Sequence, residues 1–350
     1  MAVRTALICA VQTPFITGGA EILVTELREN LLRRGFKVDV ANVPFKWYPV
    51  SEIVRQALAW RLLDVTESNG TPVDLVIPTK FPSYLVQHSA KVTWLFHQHR
   101  EAYDLYGGPF CSFEKTPEHD RIRESIQVMD TRGLSESRAI FTISQNVANR
   151  LERYNGLGAT ALYPPPQHLG RYRTDGYGDY LFSVGRLDRL KRFDLAIDAL
   201  ARCGPDVRLK IAGTGPVEAE LRRQVERLGL EDRVELLGFV SLEDLIALYA
   251  GCRAVLFAPL NEDYGYITIE AFLSRKPVIT THDAGGPLEF VTDGVNGWVA
   301  AAEADRLAET IQHMWNDSPA TLRAMGEQGC TGASLITWDA VVDRLVGAVA

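Results

Sequence analysis

Short apolar runs alternate with amphipathic stretches along the chain, the pattern of β/α units wound around parallel sheets. In the first half "TALICA" reads as a strand. "GGAEILVTELRENLLRRG" (18–35) reads as a helix with Leu23, Leu27 and Leu31 on one face. Arg33 and Arg34 fall in its last turn, where positive charge complements the helix dipole, and Gly35 suits the position just past its end. "KVDVANV", "DLVIPT", "KVTWLFH" and "AIFTIS" follow as strands, with helices around 51–66, 119–136 and 145–154.

The periodicity stops at "LYPPPQHLGRYRTDGYGDY" (162–180), whose three consecutive prolines fit neither a helix nor a central strand. It then restarts. Strands "YLFSVG", "RLKIAG", "VELLGF", "AVLFAP" and "PVITT" alternate with helices "RFDLAIDALARC", "PVEAELRRQVERLG", "LEDLIALYAGC" and one from about Tyr266. The last stretch, "ATLRAMGEQG…WDAVVDRLVGAVA", is helical. The expected fold is α/β, two tandem Rossmann-like doubly wound domains over 1–168 and 169–335. Residues 336–350 form a terminal helix able to cross back to the first domain. Such sheets bind ligands at the carboxyl ends of their strands, so a cleft between the domains is the expected site.

A length of 350 residues agrees with about two domains. With 46% hydrophobic and 23% charged residues the composition is that of an ordinary globular protein. A formal net charge of −7 speaks against a nucleic-acid partner. The five cysteines are scattered and contain no C-x-x-C, which excludes a disulfide framework or zinc site and suits a reducing cytoplasm. The apolar run in "MAVRTALICAVQTPF" is too short for a signal peptide, and no run approaches the roughly 18 residues of a membrane span. "SEIVRQALAWRLLDV" sets Arg55 and Arg61 beside Ile53, Leu58, Trp60 and Leu62. That pattern admits peripheral contact with an anionic membrane, although packing on a sheet explains it as well.

Three stretches carry candidate chemistry. "FSVGRLDRLKRFD" places Gly185 and Arg186 directly after a strand, with Lys191 where the next helix begins. On charge pattern alone Arg186, Arg189, Lys191 and Arg192 read as a solvated loop. At the carboxyl edge of a sheet, however, two cations could neutralise a diphosphate. "TPFITGGAE" puts Gly18 and Gly19 at the mouth of the first helix, where bare backbone and the helix dipole suit an anion. No G-x-G-x-x-G occurs, which disfavours a dehydrogenase. "NEDYGYITIEAF" (261–272) sets Glu262 in a loop after a strand and Glu270 in the first turns of a helix. Glu270 either complements the helix N-terminus or accepts two hydrogen bonds from a vicinal diol such as ribose.

"GRLDRLKRFDLAIDAL", "LKIAGTGP", "NEDYGYITIEAF" and "PVITTHDAGGPLEFVTDGVNGWVA" occur in an order and spacing that resembles the retaining glycosyltransferase family 4, with its GT-B architecture. The resemblance runs from "GGAE" to the final helix and is densest over 181–300. It implies that Arg186 and Lys191 hold the donor's diphosphate, that Glu262 bonds the transferred sugar and that Glu270 takes the ribose hydroxyls. By the same resemblance, backbone amides at Tyr264, Gly265, Tyr266 and Ile267 contact sugar or phosphate, and Gly18 and Gly19 close over the diphosphate. Gly213, Gly215 and Phe239 then flank the nucleoside, and His97 lies near the sugar.

Two departures from the family are Arg275-Lys276 before "PVI", where a small residue is common, and the tyrosines around Gly265. The first adds charge that suits a helix end. The second brings hydroxyls near the donor sugar. Tyr103 to Phe113 is a long aromatic loop suited to recognising an acceptor, although Tyr103 and Tyr106 could equally pack on each other.

The implied reaction is hexosyl transfer from a nucleotide-diphosphate sugar to an acceptor hydroxyl, with retention and without a metal or cofactor. The acceptor would be a saccharide, a lipid-linked molecule or a small molecule, in polysaccharide, O-antigen or glycoconjugate assembly. A nucleotide-sugar epimerase, a phosphorylase and a non-catalytic nucleotide-sugar binder remain as alternatives on the same architecture.

Overall fold

The computed structural model describes residues 4–14 and 18–349; Phe15, Ile16 and Thr17 of the first glycine loop lie outside them. The chain divides into two compact units, Met1–Gln167 with Thr337–Ala350, and His168–Ile336.

The first unit begins β1 (Thr5–Gln12), α1 (Gly19–Arg33), β2 (Lys37–Pro44) and α2 (Ile53–Leu58). A small hairpin, β3 (Glu67–Ser68) and β4 (Thr71–Pro72), precedes β5 (Leu75–Pro78) and β6 (Val92–Leu95). Then come α3 (Pro117–Ser135), β7 (Ala139–Thr142), α4 (Gln145–Asn155) and β8 (Thr160–Ala161). Parallel sheets β2-β1-β5 and β6-β7-β8 are linked by a parallel bridge between Val76 and Lys91. Local signals explain the helix ends. The Thr116 hydroxyl caps α3, with Pro117 in the first turn, and Ser144 caps α4 by accepting from Val147 N at 3.1 Å. Gly156, at φ 65°, ends α4 in the left-handed region.

The second unit is one six-stranded sheet, all parallel, in the order β11-β10-β9-β12-β13-β14. Its elements are β9 (Leu181–Val184), α5 (Phe193–Leu200), β10 (Leu209–Ala212), α6 (Glu218–Leu228), β11 (Val234–Gly238) and α7 (Leu242–Gly251). They continue as β12 (Ala254–Leu256), α8 (Tyr266–Leu273), β13 (Val278–Thr281), β14 (Gly297–Ala300), α9 (Ala304–Trp315) and α10 (Pro319–Ala333). Leu181, Ile211, Leu256 and Ile279 from the strands meet Ile197, Leu200, Leu307 and Ile311 from the helices in one buried core. The strand order reverses between β9 and β12, the point at which such sheets open a crevice for ligands.

The final helix α11 (Trp338–Gly347) belongs to the first unit. Its Asp339 and Asp343 pair with Arg34 at the end of α1, at 3.1 and 2.5 Å. Trp338 packs edge-on against the buried Trp94 of β6, ring centres 6.1 Å apart, and the Arg344 guanidinium lies 5.5 Å from the Phe141 ring.

Four expectations change. The helix expected over 51–66 is only α2, flanked by single 3-10 turns at Val50–Glu52 and Ala59–Leu62. Ile53, Ala57 and Trp60 are buried, but Leu62 is exposed, so the apolar stripe ends with Trp60. Asp64 then turns the chain by accepting from Thr66 N at 3.0 Å. β14 and α9 stand between "PVITT" and the terminal helices, beyond the alternation expected from the sequence. Lys276 is not a surface charge at a helix end. It is fully buried, its ammonium donates to the Gly176 carbonyl, and it lies 4.5 Å from the Tyr177 ring. Tyr103 and Tyr106 do not pack together: Tyr103 stacks edge-on against Tyr154 and Tyr106 against Phe113. Among the described residues no helix is long and apolar enough to cross a membrane.

Candidate functional site

In the second unit the loops after β9 and β12 meet at the switch point. Gly185 leaves β9 at φ 144°, and the segment Gly185–Leu187 runs against Gly213–Gly215 after β10. A Cβ on Gly213 would stand 1.9 Å from the Gly185 carbonyl oxygen, and one on Gly215 would stand 2.2 Å from that of Leu187. Backbone packed on backbone therefore demands both glycines. Gly213 N also donates to Gly238 O at 2.7 Å, which sets Phe239, 86% exposed, beside the same loop.

Arg186 is exposed in the first of these loops. Asp188 then caps the turn Arg189–Lys191, accepting from Leu190 N and Lys191 N at 3.1 and 3.2 Å. The four cations that charge pattern groups together separate here. Arg189 pairs outward with Glu220 at 2.9 Å. Lys191 reaches Glu262 Oε2 at 2.6 Å across the switch point. Arg192, at φ 51°, turns into the protein and grips the next loop. It donates to the carbonyls of Ala258 (2.8 Å) and Pro259 (2.7 Å), to the Thr281 hydroxyl (2.8 Å), and to both oxygens of Asp283 (2.8 and 2.7 Å). Burial lifts the Asp283 carboxyl, but the Arg192 and Thr281 contacts bring it below the ordinary aspartate value.

The loop carrying Glu262 is stitched to the loop after β13. Asn261 N donates to Asp283 O at 2.8 Å, Glu262 N to Ala284 O at 2.7 Å, and Gly286 N to Glu262 O at 2.8 Å. Gly265 opens α8 at φ 84°, and a Cβ there would stand 2.9 Å from the Phe257 ring. The Tyr264 side chain is buried (3% exposed), edge-on to Tyr266 at 5.0 Å and to Phe290 at 5.6 Å. Its ring belongs to the packing of the loop, so what Tyr264 can offer a ligand is main chain. Tyr266 and Ile267 form the first turn of α8, Ile267 approaching the backbone of Gly185.

Glu270 lies one turn further on. Its carboxylate accepts from the Tyr249 hydroxyl at 2.8 Å, and the Tyr172 hydroxyl lies beside it. Burial raises its pKa above the usual glutamate value, and the two phenols only partly reverse that. Neither tyrosine was picked out from the sequence, nor were Arg192 and Asp283 as a pair, because nothing local marks which distant groups will meet.

In the first unit Gly18 caps α1 at φ −139°, an extended conformation that glycine is not needed to reach. Its N–H donates to Glu21 Oε2 at 2.9 Å, and Glu21 Oε1 accepts from Lys80 at 2.8 Å. Burial pushes the Glu21 carboxyl up, but Lys80 and the Gly18 amide outweigh it and hold it below the usual value. Lys80 follows β5 and Gly19 follows β1, so this pair marks the first unit's own sheet edge. A cavity of about 340 Å³ opens there, lined by Gln12, Glu21, Thr25, Arg28, Asn42 and Lys80 among others.

His97 follows β6, its Nδ1 2.9 Å from Gln98 O, and its own carbonyl accepts from Phe81 N at 3.2 Å. Next to it, burial lowers His99 to about 4 against a smaller opposing effect of Glu101, and Phe81 and Phe113 pack against its ring. Among the acceptor-loop candidates Tyr103 is buried and donates to the buried Asp130 at 2.7 Å.

Residues 171–330, spanning the switch-point loops and both glutamates, match the profile of the family described as Glycosyl transferases group 1. Residues 171–330 form a group 1 glycosyl transferase domain. Over most of its length the chain is also 25% identical to an uncharacterized glycosyltransferase of Methanocaldococcus jannaschii, across 341 residues and 87% of each chain. The first curated relatives it matches are longer: the chain spans between 22% and 53% of their length. In solved structures the fold recurs in sucrose-phosphate synthase from Thermosynechococcus elongatus, with a TM-score of 0.77, 19% identity and 97% of each chain covered. It recurs too in Anabaena HepE, solved in complex with UDP and glucose, with a TM-score of 0.71, 20% identity and 99% of each chain covered. The architecture is thus GT-B, and the transferase domain carries Arg186, Lys191, Glu262 and Glu270 on one sheet edge.

Proposed function

We propose that the protein is a glycosyltransferase that moves a hexose from a nucleoside-diphosphate donor to an acceptor hydroxyl, with retention of anomeric configuration and without a metal. The observation that carries this reading is the 2.6 Å contact of Lys191 with Glu262 at the strand-order reversal of a group 1 transferase domain. A cation for a diphosphate and a carboxylate for sugar hydroxyls are thereby held at one point.

Lys191 and Arg186 hold the diphosphate, and Glu262 accepts from the sugar. The anomeric C–O bond to the β-phosphate breaks, and its electron pair leaves on the diphosphate. Arg186, Lys191 and the amides at the start of α8 stabilise that charge by preorganised electrostatics. The acceptor oxygen bonds the anomeric carbon on the same face, and its proton passes to the departing phosphate oxygen. Glu270 takes the ribose, while Gly213, Gly215 and Phe239 flank the nucleoside. In the first unit Gly18 and Gly19 are assigned to the diphosphate and His97 to the sugar. A saccharide, lipid-linked or small-molecule acceptor, as in polysaccharide, O-antigen or glycoconjugate assembly, is the class that suits this chemistry. The complex of Anabaena HepE with UDP and glucose supports a nucleotide sugar as the donor.

The test is a screen of UDP, GDP and ADP and their hexose conjugates by thermal shift, because a ligand of the folded state stabilises it by mass action. Lys191→Ala and Glu262→Ala should fold normally yet release nucleoside diphosphate from the true donor at least about 100-fold more slowly. Wild-type turnover in either variant would sink the assignment.

A further inference from the structure

Glu270 meets partners from two other parts of the transferase domain. Tyr249 comes from α7, is fully buried, and donates to Glu270 Oε2 at 2.8 Å. Tyr172 comes from the segment before β9, with its hydroxyl beside the same carboxylate. The Tyr249 ring stands perpendicular to Phe182 of β9 at 5.0 Å and to Tyr172 at 6.3 Å. Core packing therefore fixes where the Tyr249 hydroxyl points, before any ligand arrives. A carboxylate presents about four lone-pair sites; the Tyr249 hydroxyl occupies one of them, and the Tyr172 hydroxyl stands beside the group. The lone pairs that remain have a defined direction, because a carboxylate bonded to one fixed hydroxyl and flanked by another cannot spin freely about its terminal bond.

We infer that Tyr172 and Tyr249 are positioning residues that orient the Glu270 carboxylate so that two of its remaining lone pairs meet a vicinal diol, the ribose of the donor nucleotide. This rests on the proposed reading of the site as one for a nucleotide sugar, and extends it from the carboxylate to the groups that aim it. The competing possibility is that the phenols meet the carboxylate only to satisfy buried polar atoms. Under that view their loss would weaken all ligands of the domain alike.

Tyr249→Phe and Tyr172→Phe keep each ring and remove only the hydroxyl. Each is titrated calorimetrically with UDP, GDP and ADP, and with the 2′,3′-dideoxy counterpart of whichever binds wild type best. Wild type should prefer the ribose form by more than about tenfold. Each variant should weaken the ribose form by about tenfold. The dideoxy form should weaken less than about twofold, since the oriented lone pairs have nothing to bond. Equal weakening of both forms would leave the phenols a structural role and overturn the inference. A wild type that does not distinguish the two forms overturns it as well, while leaving diphosphate binding intact. If no nucleoside diphosphate binds wild type, it is the underlying reading of the site that fails. Thermal melts of both variants accompany the titrations. Tyr172 is only half-buried, so its variant decides the matter even if Tyr249→Phe does not fold.

Discussion

Arg192→Ala should detach the loop that carries Glu262. The guanidinium makes five hydrogen bonds, to the carbonyls of Ala258 and Pro259, the Thr281 hydroxyl and both oxygens of Asp283. Its side chain is 15% exposed and that of Asp283 31%, so the pair is largely but not fully desolvated. Removing one partner of a buried pair costs about 3–5 kcal/mol, because the other charge is left without compensation. Bonds to charged groups of about 1.5–3 kcal/mol each, far from additive, lead to the same range. A domain of this size loses about 2–4 °C of Tm per kcal/mol, so the transferase domain should melt about 6–20 °C lower.

Differential scanning calorimetry of the full chain reads that shift. Arg192→Lys should recover only part of it, because an ammonium cannot reproduce the guanidinium fork. The pH dependence has a definite sign. Asp283 is held below its ordinary value, so its stabilisation is present above about pH 4 and is lost as pH falls through the folded value. Arg192→Ala should therefore lose less stability on acidification than wild type. A fall in Tm of less than about 2 °C would show that the loop is held by its main-chain bonds to the segment after β13 and would refute the reasoning.

Three further outcomes are expected. Burial raises Asp130 to about 7 although the Tyr103 hydroxyl lies 2.7 Å away, so its folded form resists ionisation. That penalty grows as pH rises from about 4 to about 7; Asp130→Asn should thus stabilise the protein more at pH 8 than at pH 5 in urea titrations, and an equal effect at both would refute it. Gly213→Ala would force a Cβ to 1.9 Å from the Gly185 carbonyl oxygen at φ 129°, and should cost more than about 3 kcal/mol in the same assay. Trp338→Ala removes the ring packed on Trp94 and should cost the first unit about 3–5 kcal/mol. Hydrogen exchange should then quicken in α1 and β6 while α5 to α10 keep their protection.

The alternation of strands and helices was legible because periodicity is local: Leu23, Leu27 and Leu31 are spaced to share a helix face, and all three are buried. The same local signal marks the helix Ala304–Trp315, whose Leu307, Ile311 and Met314 keep a helical spacing and are buried. Elsewhere local pattern misleads for a physical reason. Lys276 looks like a helix-end charge, yet burial beneath the segment before β9 makes it a donor to the Gly176 carbonyl. Tyr103 and Tyr106 share a spacing that allows contact, but Asp130 and Tyr154 hold the first, while Phe113 and Arg123 hold the second.

By itself the sequence determined that Arg186 and Lys191 follow one strand, that Glu262 follows another, and that Glu270 sits early in the helix after it. Side-chain periodicity and turn residues act within a few positions, so they place each group at the end of an element. Strand order is another matter. It arises from how every helix packs across the sheet, and only the order β11-β10-β9-β12-β13-β14 makes β9 and β12 neighbours. That adjacency brings Lys191 within 2.6 Å of Glu262 across 71 positions of chain. The same tertiary packing turned Arg192 inward to Asp283 and set Tyr172 and Tyr249 on Glu270. Those partnerships depend on contacts between elements distant in the chain, and no local spacing encodes them.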